Sequence, residues 1–106
     1  MSDKKEGWIG VDLDRTLAYY DKWNGPYDIG EPIPQMLRRV KLWLSQGKDV
    51  RIFTARISEV DPFANEDNEK IIFCIQNWTE KHLGVRLPVT NVKDFFMDEL
   101  WDARAI

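Results

Sequence analysis

Two carboxylates close a run of apolar residues near the start of the chain. In WIGVDLDRT, residues 8–16, Asp12 and Asp14 lie one residue apart and Thr16 follows two residues later. Neighbouring carboxylates repel each other unless a cation or a lysine compensates their charge. Seen alone, such a pair is more often a turn or a helix cap than a reactive site. Its meaning therefore depends on which other residues the fold brings to it.

Hydrophobic periodicity predicts that strands and helices alternate along this chain. The predicted strands cover residues 7–13, 49–56, 87–93 and 95–101, and the predicted helices run from Pro34 to a stop at Gly47 and from about 65 to 82. This alternation implies crossover connections and a parallel sheet that helices cover on both faces. We expect one domain, residues 1–106.

The stretch between the first predicted strand and the first predicted helix resists a regular assignment. Residues of about 19–33 hold two glycines and two prolines, which is typical of a turn-rich flap or hairpin. Trp23 in this flap has two interpretations: it packs the loop down, or it lines the entrance of a site.

The predicted sheet gathers polar residues at one edge. Ligands of parallel sheets bind at the carboxyl ends of the strands. The residues at these ends are Asp12 and Asp14, Thr54, Lys93, and either Asp98 or Asp102. Carboxylate oxygens without neighbouring histidine or cysteine favour Mg²⁺ over zinc. The sequence therefore predicts a magnesium site at this edge.

These residues resemble a known family. DLDRT resembles the first motif of the haloacid dehalogenase (HAD) superfamily of aspartate-nucleophile phosphohydrolases, and Thr54, Lys93 and a terminal acidic strand follow in that family's order. The flap is similar to that of small capless members. The resemblance covers nearly the whole chain, and it implies a three-layer, Rossmann-like (HAD-like), mainly parallel sheet with no cap domain.

The resemblance also implies a mechanism, the Mg²⁺-dependent hydrolysis of a phosphomonoester. Asp12 would attack the phosphorus and form an aspartyl-phosphate, and Asp14 would serve as general acid and base. Thr54 would hydrogen-bond a phosphoryl oxygen and Lys93 would balance charge. The metal ligands would be Asp12, the carbonyl of Asp14 and a carboxylate of the last strand.

Two positions depart from the family pattern. Arg15 stands where relatives usually have glycine, and Ala103 stands where a second acid of a terminal doublet is expected. Reading WDARAI as the terminal motif assigns Asp102 to the metal, whereas the other register, FFMDE, assigns Asp98. We favour Asp102 because the tail after it also matches.

The departures keep a second function open. A catalytically weak or inactive HAD-fold module that binds phosphate and metal would tolerate both Arg15 and Ala103. A phosphoryl-accepting receiver domain is disfavoured, because its aspartate lies on a middle strand and VRIFT ends without an acid.

Composition limits the partners. A net charge of −3 provides no basic field for nucleic acid or an anionic membrane, so among nucleic acids only a phosphorylated end fits the site. The single cysteine, Cys74, lies in an apolar helical pattern, which predicts a packed thiol and a cytoplasmic setting. Five tryptophans are compatible with a homodimer. The sequence does not identify the phosphorylated substrate.

Overall fold

The elements of the fold follow the predicted order. The computed structural model describes residues 7–22, 24–25, 27–57, 65–92 and 97–101. Its elements are β1 (Trp8–Asp12), α1 (Pro34–Ser45), β2 (Val50–Phe53), α2 (Asn65–Leu83), β3 (Val89–Thr90) and β4 (Met97–Trp101). Each predicted strand and helix is confirmed, and the strands are shorter than the apolar runs that predicted them. Gly47 and Gly84 follow the helices with φ of 77° and 84°, a conformation that ends a helix at little steric cost.

The four strands form one parallel sheet in the order β3-β2-β1-β4. Strand β1 is therefore central. Its Asp12 lies opposite Phe53 of β2, and its Val11 lies opposite Trp101 of β4. The chain leaves β1 towards β2 and β3 and later returns to the other side of β1 as β4. The strand order thus reverses next to β1, and the crevice at such a reversal is where parallel sheets bind ligands.

Both described helices pack on the same face of the sheet. Ile9 and Ile52 of the sheet share one buried cluster with Val40 of α1 and Ile75 of α2. Two right-handed crossovers that run in the same direction place their helices on one side, which explains this arrangement. We expected helices on both faces; within the described residues, α1 and α2 cover one. Neither helix is long and apolar enough to cross a membrane.

The predicted flap is a narrow hairpin-like excursion between β1 and α1. The Tyr19 amide donates to the Glu31 carbonyl over 2.8 Å, and the Ile33 amide donates to the Leu17 carbonyl over 2.8 Å. These bonds hold the two sides of the excursion together just beyond the end of β1.

Helix α2 anchors this flap from the other side. The Trp78 indole N–H donates to the Gly30 carbonyl over 3.0 Å, and the Cys74 thiol lies 3.2 Å from the Tyr27 carbonyl oxygen. Cys74 is therefore half-buried beside the flap, where we had expected a core residue. The loop entering the site is tied to a helix by hydrogen bonds to its backbone.

Replacing Gly30 by alanine should destabilise the protein. A Cβ at Gly30 would overlap the backbone carbonyl of Tyr19, so the two sides of the flap must separate. We expect a loss of about 1–3 kcal/mol in the free energy of unfolding, the usual cost of overpacking. Urea denaturation measures it. Glu31→Ala, which alters only an exposed neighbouring side chain, is the control, and equal stability of the two variants would contradict the close approach.

Candidate functional site

A tight turn directs the chain back over the end of β1. The Leu17 amide donates to the carbonyls of Asp12 and Leu13 over 3.2 and 3.0 Å, and the Ala18 amide donates to that of Leu13 over 2.8 Å. Leu13 and Leu17 are fully buried and fix the turn to the core. Asp12 ends the strand and Asp14 lies in the turn, so both carboxylates belong to the carboxyl edge of the sheet, at half-buried positions.

Arg56 forms an ion pair with the carboxylate of Asp14. Its Nε donates to Oδ2 of Asp14 over 2.9 Å and its Nη2 donates to Oδ1 over 2.7 Å. The Arg56 side chain is only 4% exposed and that of Asp14 is 24% exposed. Such a two-point pair fixes both side chains, because the planar guanidinium matches the carboxylate geometry.

Thr54 lies beside this pair at the end of β2. The residue is 1% exposed, and its amide donates to the Thr90 carbonyl over 2.9 Å. Its Oγ1 accepts a hydrogen bond from the Arg56 amide over 3.1 Å. One hydroxyl can both accept and donate, so Thr54 retains a proton with which to bind an oxygen at the edge.

The structure brings together part of the predicted set. Asp12, Asp14 and Thr54 share the carboxyl edge of β1 and β2. Lys93 and Asp102 lie outside the described residues, as does Trp23. Strand β4 ends at Trp101, opposite Val11, so the chain reaches the same edge immediately before Asp102.

Asp98 lies at the other end of the sheet. It is bulged between Met97, which pairs with Trp8, and Glu99, which pairs with Ile9. Its carboxylate occupies the space that a Cβ on Gly7 would need. Asp12 is three to four residues further along β1, roughly 10–13 Å away at the usual rise per residue. The structure therefore does not bring the alternative ligand Asp98 to the predicted site.

The described part of the site fits a hard cation incompletely. The carboxylates of Asp12 and Asp14 are the donor type that Mg²⁺ prefers. No group of three or more acidic, histidine or cysteine side chains converges within the described ranges. The third ligand proposed from the sequence, Asp102, falls outside them, so the described residues supply two of the three expected ligands, the Asp12 carboxylate and the Asp14 carbonyl.

Comparisons with protein-family models, with curated proteins and with solved structures find no match to this chain.

Two arginines at this edge were not among the predicted site residues. Arg56 pairs with Asp14, and Arg15 lies over the Tyr20 ring at 5.0 Å from its centroid. The position of Arg56 was a usable signal, because it lies two residues after Thr54 and so stays near the same strand end. No pattern in the sequence predicts that Arg56 pairs with Asp14.

The Arg56–Asp14 pair should show strong energetic coupling. A double-mutant cycle of Arg56→Gln and Asp14→Asn, read by urea denaturation, should give about 1–3 kcal/mol, as expected of contacting residues in a poorly solvated pair. Arg51 and Asp49 form the same two-point contact, over 3.2 and 2.9 Å, with side chains 33% and 48% exposed. That matched pair should couple by less than about 1 kcal/mol. Equal coupling in the two cycles would contradict the importance of burial here.

Proposed function

We propose that this protein is a Mg²⁺-dependent phosphomonoester hydrolase that works through an aspartyl-phosphate on Asp12. One observation carries the proposal. Asp12, Asp14 and Thr54 meet at the carboxyl edge of adjacent parallel strands, and Arg56 joins them there. A nucleophile, a proton-transfer group and donors for phosphoryl oxygens are then within one site.

The first half-reaction uses both aspartates. A carboxylate oxygen of Asp12 attacks the phosphorus, the bond from phosphorus to the leaving oxygen breaks, and Asp14 gives that oxygen a proton. Water then attacks the phosphorus of the aspartyl-phosphate while Asp14 accepts a proton from it. The bond between phosphorus and the Asp12 oxygen breaks and phosphate leaves, so Asp12 is again a carboxylate. Asp14 returns its proton to solvent when it pairs with Arg56 again.

The ion pair between Arg56 and Asp14 adds a step to this scheme. Asp14 accepts two hydrogen bonds from Arg56 in the absence of substrate. A phosphoryl group entering the site carries more negative charge than a carboxylate, and two of its oxygens can accept both hydrogen bonds of the Arg56 guanidinium. We infer that Arg56 moves from Asp14 towards the phosphoryl oxygens, and that Asp14 then takes up from solvent water the proton that it gives to the leaving oxygen.

The remaining groups stabilise charge. The Thr54 hydroxyl donates to a phosphoryl oxygen, and Lys93 balances the charge on nucleophile and substrate. Asp12, the Asp14 carbonyl and Asp102 are the proposed holders of Mg²⁺, which when bound neutralises charge on the phosphoryl group.

The finer features of the fold form part of the same proposal. The resemblance to the HAD superfamily implies three layers and a site without a cap domain. In an open site of this kind, the flap gives partial closure, and the lone thiol of Cys74 fits a reducing cytoplasm.

The second candidate is a phosphate- and metal-binding module with little or no turnover. The observation that favours it is the pair of Asp14 with Arg56, since a carboxylate held at two points is a poor proton donor until the pair opens. Ala103 adds to it, because one expected acid is missing from the last motif.

A screen of phosphomonoesters with and without Mg²⁺ separates the two candidates. The enzyme should release phosphate from at least one substrate class only when Mg²⁺ is present. Binding of phosphate or beryllofluoride without any turnover across the screen would favour the module.

A further inference from the structure

We propose that a cleft beside the carboxyl edge of the sheet binds a second anionic group, so that the preferred substrates are phosphomonoesters carrying another negative charge. The cleft lies between the turn after β1, the start of α1 and the end of β4, and we name it the anion cleft. Its lining includes Arg15, Thr16, Gln35, Arg39 and Trp101. As a statement about substrate class, this inference rests on the proposed function; as a statement about binding, it stands without it.

The position of the anion cleft matches the topology of the sheet. It lies where β1 and β4 adjoin, at the reversal of the strand order, which is the usual ligand crevice of parallel sheets. Its volume is about 470 Å³, enough for a small organic ligand. A neighbouring cleft of about 350 Å³ is lined by Asp14 and Arg56. Arg15 lines both clefts, so the two adjoin at this residue.

The charge of the anion cleft is positive. Arg15 and Arg39 line it, and none of the described residues that line it is a carboxylate. The nearest carboxylates in the described part of the chain include Glu99, which accepts from the Trp101 indole, and Asp14 in the neighbouring cleft. Helix α1 begins at its wall with Ile33 as an N-cap that makes no side-chain hydrogen bond, and the first turn has no acidic residue. Pro34 has no N–H and the Ile33 amide donates to the Leu17 carbonyl, so the amides of Gln35 and Met36 supply the positive partial charge of this helix end, which no acidic side chain of the turn neutralises.

Trp101 orients one of these cations. The Arg39 guanidinium lies 4.5 Å from the centroid of the Trp101 ring, and Trp43 packs against the same indole at 5.5 Å between centroids. The indole N–H donates to Glu99 over 2.8 Å. The ring face beside Arg39 is thus occupied by a guanidinium, which favours recognition of a charge over stacking of an aromatic ligand.

The backbone at Arg15 supports a binding role. Arg15 has φ of 69°, the only positive value among the described residues other than glycine. Such a conformation costs an arginine roughly 1–2 kcal/mol, and strain of this kind concentrates at ligand sites. Glycine would avoid the cost, and it is the residue that the motif leads one to expect.

An unsatisfied hydroxyl lies in the wall of the anion cleft. Thr16 is fully buried and its Oγ1 has no hydrogen-bond partner. A buried polar atom without a partner carries a desolvation penalty, so it points to a missing ligand or water. An anionic oxygen entering the cleft is the partner that two arginines and this hydroxyl would recognise together.

Non-hydrolysable ligands test the proposal on the intact protein. Propylphosphonate carries one anionic group, whereas 3-phosphonopropanoate and propane-1,3-diyl bisphosphonate carry a second one, a carboxylate and a phosphonate. Titration calorimetry at fixed Mg²⁺ should show about 10-fold or tighter binding of at least one two-anion ligand over propylphosphonate. The ligand that gains more identifies the second group as a carboxylate or as a phosphate.

Two matched variants of α1 give the decisive comparison. Arg39→Gln should reduce the affinity ratio to less than about 3, because it removes one of the two charged donors. Arg38→Gln removes a charge of the same helix that does not line the cleft, and the ratio should stay at the wild-type value. A wild-type ratio near one, or an equal loss in both variants, would overturn the proposal.

The calorimetric ratio does not depend on turnover. Suppose that the protein hydrolyses no phosphomonoester but still binds a two-anion ligand more tightly, and that Arg39→Gln abolishes this preference. The anion cleft is then supported and only the proposed hydrolase activity is rejected. If the protein hydrolyses phosphomonoesters but binds the one-anion and two-anion ligands equally, the anion cleft is rejected and the hydrolase activity is supported.

Discussion

Replacing Asp12 by asparagine should reduce phosphomonoester turnover on the order of 10⁴-fold or more, as removal of a covalent nucleophile does elsewhere. The amide keeps the size of the side chain at the end of β1 but loses the negative oxygen that attacks phosphorus. Because Asp12 is half-buried at an edge, the change should not cost the fold much. The measurement is kcat for the best substrate of the screen at saturating Mg²⁺.

The control for Asp12→Asn is Asp49→Asn. Asp49 immediately precedes β2 at the amino end of the sheet and is exposed, so this variant changes the same functional group far from the site. Wild type quenched in acid during turnover should carry one phosphoryl group by mass spectrometry, and Asp12→Asn should carry none. A labelled Asp12→Asn protein, or one with near wild-type kcat, would show that another group is the nucleophile.

Replacing Asp102 by asparagine should raise the Mg²⁺ concentration needed for half-maximal activity far more than replacing Asp98. Loss of groups that only orient a metal ligand costs 10- to 100-fold in affinity, so loss of a ligand should exceed about 100-fold. Asp98 lies at the opposite end of β4 beside Gly7, where it cannot share a metal ion with Asp12. We expect Asp98→Asn to leave the metal dependence at the wild-type value.

Binding of Mn²⁺ to the resting protein, followed by electron paramagnetic resonance, supplies a second measurement that is independent of turnover. Asp102→Asn should weaken this binding and Asp98→Asn should not. The reverse pattern would assign the metal to FFMDE and would require β4 to extend differently from the strand observed over Met97–Trp101.

Periodicity alone predicted the order and type of every described element, because each strand and helix in this chain carries its own apolar pattern. Ile52 in a short apolar run and the pair Ile71 and Ile75 at helical spacing are examples. The distribution of helices between the two faces was not predictable in this way. The face that each helix covers follows from the strand order β3-β2-β1-β4. The apolar pattern of a helix does not predict which face of the sheet the helix will cover.

The site was predictable where it depends on strand ends and unpredictable where it depends on side-chain pairing. Asp12 and Thr54 were predicted near the carboxyl ends of two strands, and the rule for parallel sheets placed them at one edge. In the structure Asp12 ends β1 and Thr54 follows β2. The contact between Arg56 and Asp14 joins residues 42 positions apart, and many cations of the chain were equally plausible partners. The positive φ of Arg15 is likewise a property of the turn and not of the residue that occupies it.

The pairing of β1 with β4 has a consequence for how the chain folds. Val11 and Trp101 are partners although about 90 residues separate them, whereas β2 joins β1 and β3 joins β2 through successive local crossovers. Contacts between residues that are distant in sequence form slowly, because closing the long loop between them costs chain entropy before the contact adds any stability. The anion cleft, with one wall from β4, should therefore be completed in the last and slowest stage of folding. In stopped-flow refolding, the part of the tryptophan fluorescence change that Trp101→Phe removes should appear later than the helical circular dichroism signal.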